Sequence, residues 1–126
     1  MSIPPLVSIC IPVYNGELHV AEAVKSALNQ TYENIEIILV DNASSDCTPE
    51  ILEGLGRTHA GRIKVYRNPH MLSMVDNFNS VASKANGDFI LLLPHDDVLL
   101  PSGVADLVSD IRDGDHFVVG LRGFLF

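Results

Sequence analysis

Apolar positions along this chain alternate between short continuous runs and longer stretches that repeat at helical spacing. Leu6-Val7-Ser8-Ile9-Cys10-Ile11-Pro12 is nearly continuous and predicts a first strand, followed by a Tyr14-Asn15-Gly16 turn. Between about Leu18 and Asn29, Ala21, Val24 and Leu28 recur with the period of a helix. Ile35–Val40 predicts a second buried strand ending at Asp41, with a polar loop over 42–47. Thr48 and Pro49 then predict a helix start, the hydroxyl as cap and the proline at the first helical position. Ile51, Leu52 and Leu55 supply the inner face of that helix before Gly54 and Gly56 weaken it.

Ile63–Arg67 alternates, as expected of a strand nearer an edge. Ser73 and Asp76 have the spacing of a capping box, and Phe78, Val81, Ala82 and Ala85 then face one side of a helix that stops near Gly87. Phe89–Leu93 is apolar throughout and predicts a strand covered on both faces. Pro101-Ser102 opens a last helix carrying Val104, Leu107, Val108 and Ile111, and Phe117–Gly120 reads as one more strand or a piece of one. Strand and helix alternate throughout. The predicted fold class is α/β: a mainly parallel sheet with flanking helices, joined by right-handed crossovers. With 126 residues and no repeat or long linker, a single domain over 1–126 is expected.

In such a sheet the C-terminal ends of the strands share one rim, where ligands of open α/β folds bind. The segments delivered there are Tyr14-Asn15, then Asp41 to Asp46, then His95-Asp96-Asp97. Loops after strands are polar in any case, and Asn15 or Ser44 alone are explained as turn residues. Asp41 is different, because a carboxylate directly after an apolar run needs a partner or a ligand. Asp96 and Asp97 are more so. Adjacent like charges gain a turn nothing, whereas a divalent cation with a phosphate ligand would satisfy both.

Composition narrows the classes. Apolar residues make up 47% and charged residues 19%, as in a globular protein. The net charge of −8 argues against a nucleic-acid-binding surface. The two cysteines, Cys10 and Cys47, form no disulfide framework and no metal spacing, which fits a reducing, cytoplasmic setting. No segment has the length of a membrane span. The five histidines lack zinc spacing, and only His95 falls in the presumed site. The common phosphate-cradling loops and the nucleophile elbow are missing. A receiver-type phosphoryl-transfer domain could use Asp41, but neither Lys64 nor Lys84 is placed for it.

Four ordered blocks give a more specific reading: residues 7–15, 26–32, 37–48 and 87–101, the last containing Leu93-Pro94-His95-Asp96-Asp97. Together they resemble the nucleotide-binding half of family 2 glycosyltransferases, which have the GT-A fold. The resemblance covers roughly residues 6–112 and implies an inverting transfer of sugar from a nucleotide-diphosphate sugar, UDP-linked, to the hydroxyl of a carbohydrate or lipid-linked acceptor. It implies that Pro12, Tyr14 and Asn15 line base and ribose, with Ser44 beside them. It also implies that Asp41 accepts a hydrogen bond from the base, that Asp96 binds Mn²⁺ or Mg²⁺, and that Asp97 assists as metal ligand or donor contact.

Relatives often carry an aspartate where this chain has Pro94, so ribose or metal contacts there fall to His95 or the backbone. The catalytic base is expected outside this chain, which would then be truncated at its C-terminus. A role in cell-surface polysaccharide synthesis, in the cytoplasm or at the inner membrane face, follows from the same resemblance. The competing expectation is a non-catalytic nucleotide-binding or interaction module of the same fold.

Overall fold

A computed structural model describes residues 3–111. The elements run β1 (Val7–Val13), α1 (Val20–Leu28), β2 (Ile35–Asp41), α2 (Thr48–Thr58), β3 (Ile63–Arg67), α3 (Met74–Ser83), β4 (Phe89–Leu92) and α4 (Gly103–Ile111). The strands form one sheet in the order β3-β2-β1-β4, and every pair is parallel. The predicted α/β class and alternation are therefore the observed ones. Phe117–Gly120 lies outside the described residues.

The two-residue period of the strands divides the interior. Ile9, Ile11 and Val13 of β1, with Ile37 and Leu39 of β2, face the larger core. There they meet Val20, Ala23, Val24 and Ala27 of α1, Leu52 of α2, and Val104 and Val108 of α4. On the opposite face Cys10, Ile38 and Val40 meet Val81 of α3. Burial pushes the Cys10 thiol up to about 12, with the Glu36 charge adding to the effect. The buried face of α1 is rotated from the expected one: Ala21 is exposed, and Val20 and Ala23 are inside.

Four local expectations change. Thr48 does not cap α2; its hydroxyl accepts the Gly16 N–H at 2.8 Å, and Asp46 Oδ1 accepts the Thr48 N–H at 2.9 Å. The helix runs through both glycines, because Gly56 lets it lie on β3: a Cβ there would meet Val65 Cγ2 at 2.9 Å. Helix α3 does start at the Ser73 cap, whose Oγ accepts the Asp76 N–H, but it ends at Ser83. Gly87 is needed instead for close approach to β1, since a Cβ would lie 2.7 Å from the Ser8 nitrogen.

The fourth change concerns β4. It pairs with β1 on one side and ends the strand order among the described residues. Leu91 and Leu93 face the large core, whereas Ile90 is 50% exposed and Leu92 is half-buried on the other face. A continuous apolar run thus marks a strand with one open face, not one covered on both. Strand β3 lies at the edge, as expected, but its burial does not alternate: only Ile63 is buried, and Val65 is exposed.

Candidate functional site

All strands being parallel, the ends of β1, β2 and β4 reach the same rim, and the hydrogen bonds between their loops set its shape. Asn42 N–H donates to the Val13 carbonyl at 2.8 Å, joining the exits of β1 and β2. Asn15 N–H donates to Ser44 Oγ, and Ser45 N–H returns a bond to Asn15 Oδ1, both at 2.9 Å. Glu17 N–H reaches Asp46 Oδ2, and Glu17 Oε2 accepts the Cys47 N–H. Desolvation would raise the Asp46 carboxyl, but its bonds from Thr48 and the Glu17 N–H outweigh it and hold the group below its ordinary value. Asn15 (φ 48°) and Ala43 (φ 56°) both occupy the left-handed region, easy for asparagine and strained for alanine. Asn15 and Ser44 therefore brace the two loops against each other.

Asp41 closes β2 with only 2% of its surface exposed. Its Oδ1 accepts the Ser44 N–H at 3.1 Å. Its Oδ2 is buried without a hydrogen-bond partner, and the Arg67 Nε stands off at 3.6 Å. Arg67 pairs with Asp41 in the β2–β3 register and also reaches the Ser44 carbonyl at 3.4 Å. Arg67 was not among the expected site residues; the register of an alternating edge strand was the available signal.

Between the rim and α3 lies a cleft of about 480 Å³. One wall is Pro12 of β1 and Tyr14 just after it, with Leu92, Pro94, His95 and Asp96 from β4 and its exit. The other is Met71, Leu72, Met74 and Phe78, with Asn42 and Asn77 between them. Asp96 is exposed; Asp97 is half-buried, does not line the wall, and donates its N–H to the Pro94 carbonyl at 3.1 Å. His95 Nδ1 is buried and unbonded, lying where a Cβ on Gly16 would come within 2.9 Å. The expected residues Pro12, Tyr14, His95 and Asp96 thus meet on one cleft. Asp41 sits beneath it rather than on its surface.

Sequence reasoning missed a buried asparagine network that holds the second wall. Asn68 Nδ2 donates to Asn42 Oδ1 at 2.9 Å and Asn77 Oδ1 at 2.8 Å. Asn42 also pins the loop before α3, accepting the Leu72 N–H at 2.8 Å and donating to the Leu72 carbonyl at 3.0 Å. Three buried amides satisfying one another keep a polar interior rigid.

A divalent cation fits the residues present only in part. No cluster of three or more His, Cys, Asp or Glu side chains occurs among the described residues. One or two carboxylates completed by ligand phosphates and water are the usual surroundings of Mg²⁺, and exposed Asp96 with Asp97 matches that pattern.

Residues 8–124 match the sequence profile of Glycosyl transferase family 2. Among similar curated proteins, the putative glycosyltransferase EpsE of Bacillus subtilis is 33% identical over 99% of this chain and 45% of its own length. GalNAc(5)-diNAcBac-PP-undecaprenol beta-1,3-glucosyltransferase of Campylobacter jejuni is 31% identical over 92% of this chain and 38% of its own. The chain thus spans less than half the length of these relatives. S. aureus TarS 1-349 in complex with UDP superposes with a TM-score of 0.76 at 24% identity, over 86% of this chain and 32% of that one. Mannosyltransferase PcManGT of Pyrobaculum calidifontis, in complex with GDP-Man and Mn²⁺, gives 0.82 at 21%, over 90% and 34%. At these identities the likeness establishes the fold, that of GT-A glycosyltransferases. Profile, curated relatives and fold agree with the rim geometry: the chain belongs to glycosyl transferase family 2.

Proposed function

We propose that this chain is the donor- and metal-binding half of an inverting glycosyltransferase that takes sugar from a UDP-sugar. The observation that carries the proposal is the cleft itself, which places the aromatic and apolar end of β1, Pro12 and Tyr14, on one wall with the carboxylate of Asp96. A nucleoside diphosphate has matching parts: a flat base and ribose for the first, and phosphates that approach a carboxylate only through a cation. The relatives solved with UDP, and with GDP-Man and Mn²⁺, support this class of ligand.

In this mechanism Tyr14 and Pro12 hold base and ribose, and Asp41, buried beneath the cleft in the free chain, is assigned an imino N–H of the base through the Oδ2 that no hydrogen bond in the fold occupies. Uracil carries that proton at N3 and cytosine does not. Asn15 and Ser44 act from behind, fixing the turn that presents Tyr14. Asp96 holds the metal, Asp97 assists, and His95 faces the donor beside Pro94, which stands where many relatives carry an aspartate. When bound, the metal would neutralise charge developing on the departing diphosphate. The base for the acceptor hydroxyl, carbohydrate or lipid-linked, is assigned to none of the described residues. No described helix is long and apolar enough to cross a membrane; action in the cytoplasm or at its membrane face is part of the proposal.

Calorimetric titration with UDP, with and without Mn²⁺ or Mg²⁺, tests it. Metal should strengthen binding, and Asp96→Ala should remove roughly 100-fold of that gain, the scale of about 3 kcal/mol for a charge-assisted contact. UDP binding indifferent to metal and to Asp96→Ala would refute the assignment of the acid pair.

A further inference from the structure

The block over residues 26–32 carries no ligand-binding role in the site described above, yet it contains a polar side chain that is buried and completely engaged. Gln30 is 8% exposed and stands two residues beyond the end of α1. Its Nε2 donates to the Ser26 carbonyl at 3.1 Å, one of the last-turn carbonyls that a helix leaves without an internal partner. The same Nε2 donates to the Leu100 carbonyl at 2.8 Å. Its Oε1 accepts the Val104 N–H at 2.9 Å, one of the orphan donors at the start of α4. One amide therefore closes the end of α1, opens α4 and holds the segment between β4 and α4.

Neighbouring bonds reinforce the clamp. Ser26 Oγ accepts the Leu99 N–H at 2.9 Å, and the Pro101 carbonyl accepts the Thr31 N–H at 2.9 Å. On the other side of the acid pair, Leu93 N–H donates to the Cys10 carbonyl at 2.9 Å. Asp96 and Asp97 thus lie on a short span, fixed to β1 at 93 and to the end of α1 from 99 to 104. Between these anchors the only backbone bond among the described residues is that from Asp97 to Pro94.

We infer that Gln30 is a positioning residue for Asp96 and Asp97, setting the carboxylates at the cleft by clamping the chain that leaves them. The inference rests on the proposed function of the acid pair, and its test has one arm that does not. In the full chain, Gln30→Ala should speed amide hydrogen exchange over 94–104 by about tenfold or more, with the 41–48 loop unchanged. It should also weaken Mn²⁺-dependent UDP binding about tenfold and leave metal-free UDP binding within about twofold, as expected when an outer partner of a metal ligand is lost.

Gln30→Met keeps the volume but loses the acceptor and both donated bonds. It should loosen the same segment, whereas a space-filling role would leave it harmless. Ser8→Ala, at the far end of the sheet, should lower stability without changing the Mn²⁺ dependence. Unchanged exchange over 94–104 in Gln30→Ala would overturn the inference. So would losses of affinity that are equal with and without Mn²⁺. Wild-type UDP binding without any Mn²⁺ dependence would overturn the metal reading of the pair instead, leaving exchange to decide the role of Gln30.

Discussion

The two ends of the sheet treat buried polarity in opposite ways. At the N-terminal end, Glu36 Oε2 accepts the Ser8 hydroxyl at 2.5 Å and the Asn86 N–H at 2.6 Å, while Lys64 Nζ approaches Oε1 at 3.4 Å. Ser8 Oγ in turn accepts the Gly87 N–H at 2.8 Å. At the C-terminal end, two buried side-chain atoms lack hydrogen-bond partners, and no others do among the described residues: His95 Nδ1, and Asp41 Oδ2, which the Arg67 Nε approaches at 3.6 Å. Leaving such atoms unpaired costs on the order of 1–3 kcal/mol each. A closed network is explained by the fold; an open one, gathered on a single rim, calls for a ligand.

The largest effect should come from opening the closed end. Glu36→Ala strips partners from Ser8, Asn86 and Lys64 and should cost about 3 kcal/mol in urea unfolding. It should leave nucleotide affinity unchanged. Comparable losses of affinity and stability would merge the two ends into one system.

The same carboxylate gives a pH signature. Burial works to raise it, but bonds from Ser8, Asn86 and Lys64 prevail and hold it below its ordinary value of 4.5. A folded-state value below the unfolded one contributes stability that is complete above about pH 4.5 and is lost as pH falls through the folded value. Unfolding free energies measured on the acid side of 4.5 should fall more steeply for the native chain than for Glu36→Gln. Identical slopes would assign the acid sensitivity elsewhere.

The smallest effect belongs to the open end. Asp41→Asn should reduce the preference for UDP over CDP about tenfold, near 1.4 kcal/mol. Titrations with UDP, CDP and GDP read this directly. GDP also matters because guanine carries an imino proton. Discrimination unchanged by the substitution would remove Asp41 from base recognition.

Much of this contrast is legible along the chain, and the exceptions share a cause. Strands β1 and β2 are read from uninterrupted apolar runs because both lie inside the sheet, buried almost throughout. The rim residues Tyr14, Asp41 and Asp96 follow from strand ends alone, since parallel topology dictates where they meet. Strand β4 misleads because an apolar run does not reveal whether both its faces are covered. The Asn42–Asn68–Asn77 network, the Arg67–Asp41 approach and the Gln30 clamp were not read, because each joins residues far apart in the chain through amides or charges with no periodic pattern. Thr48 is the instructive intermediate. It stands at a helix start as its type suggests, yet its hydroxyl serves the turn after β1.

The central claim is that the open end binds and the closed end holds. It is tested most directly by measuring Mn²⁺-dependent UDP affinity and unfolding free energy on the same preparations of Asp96→Ala and Glu36→Ala. Exposed Asp96 should lose the metal-dependent binding at nearly native stability, and Glu36→Ala should lose stability at native affinity. Both variants losing both properties, or Asp96→Ala retaining its metal-dependent affinity, would contradict the account.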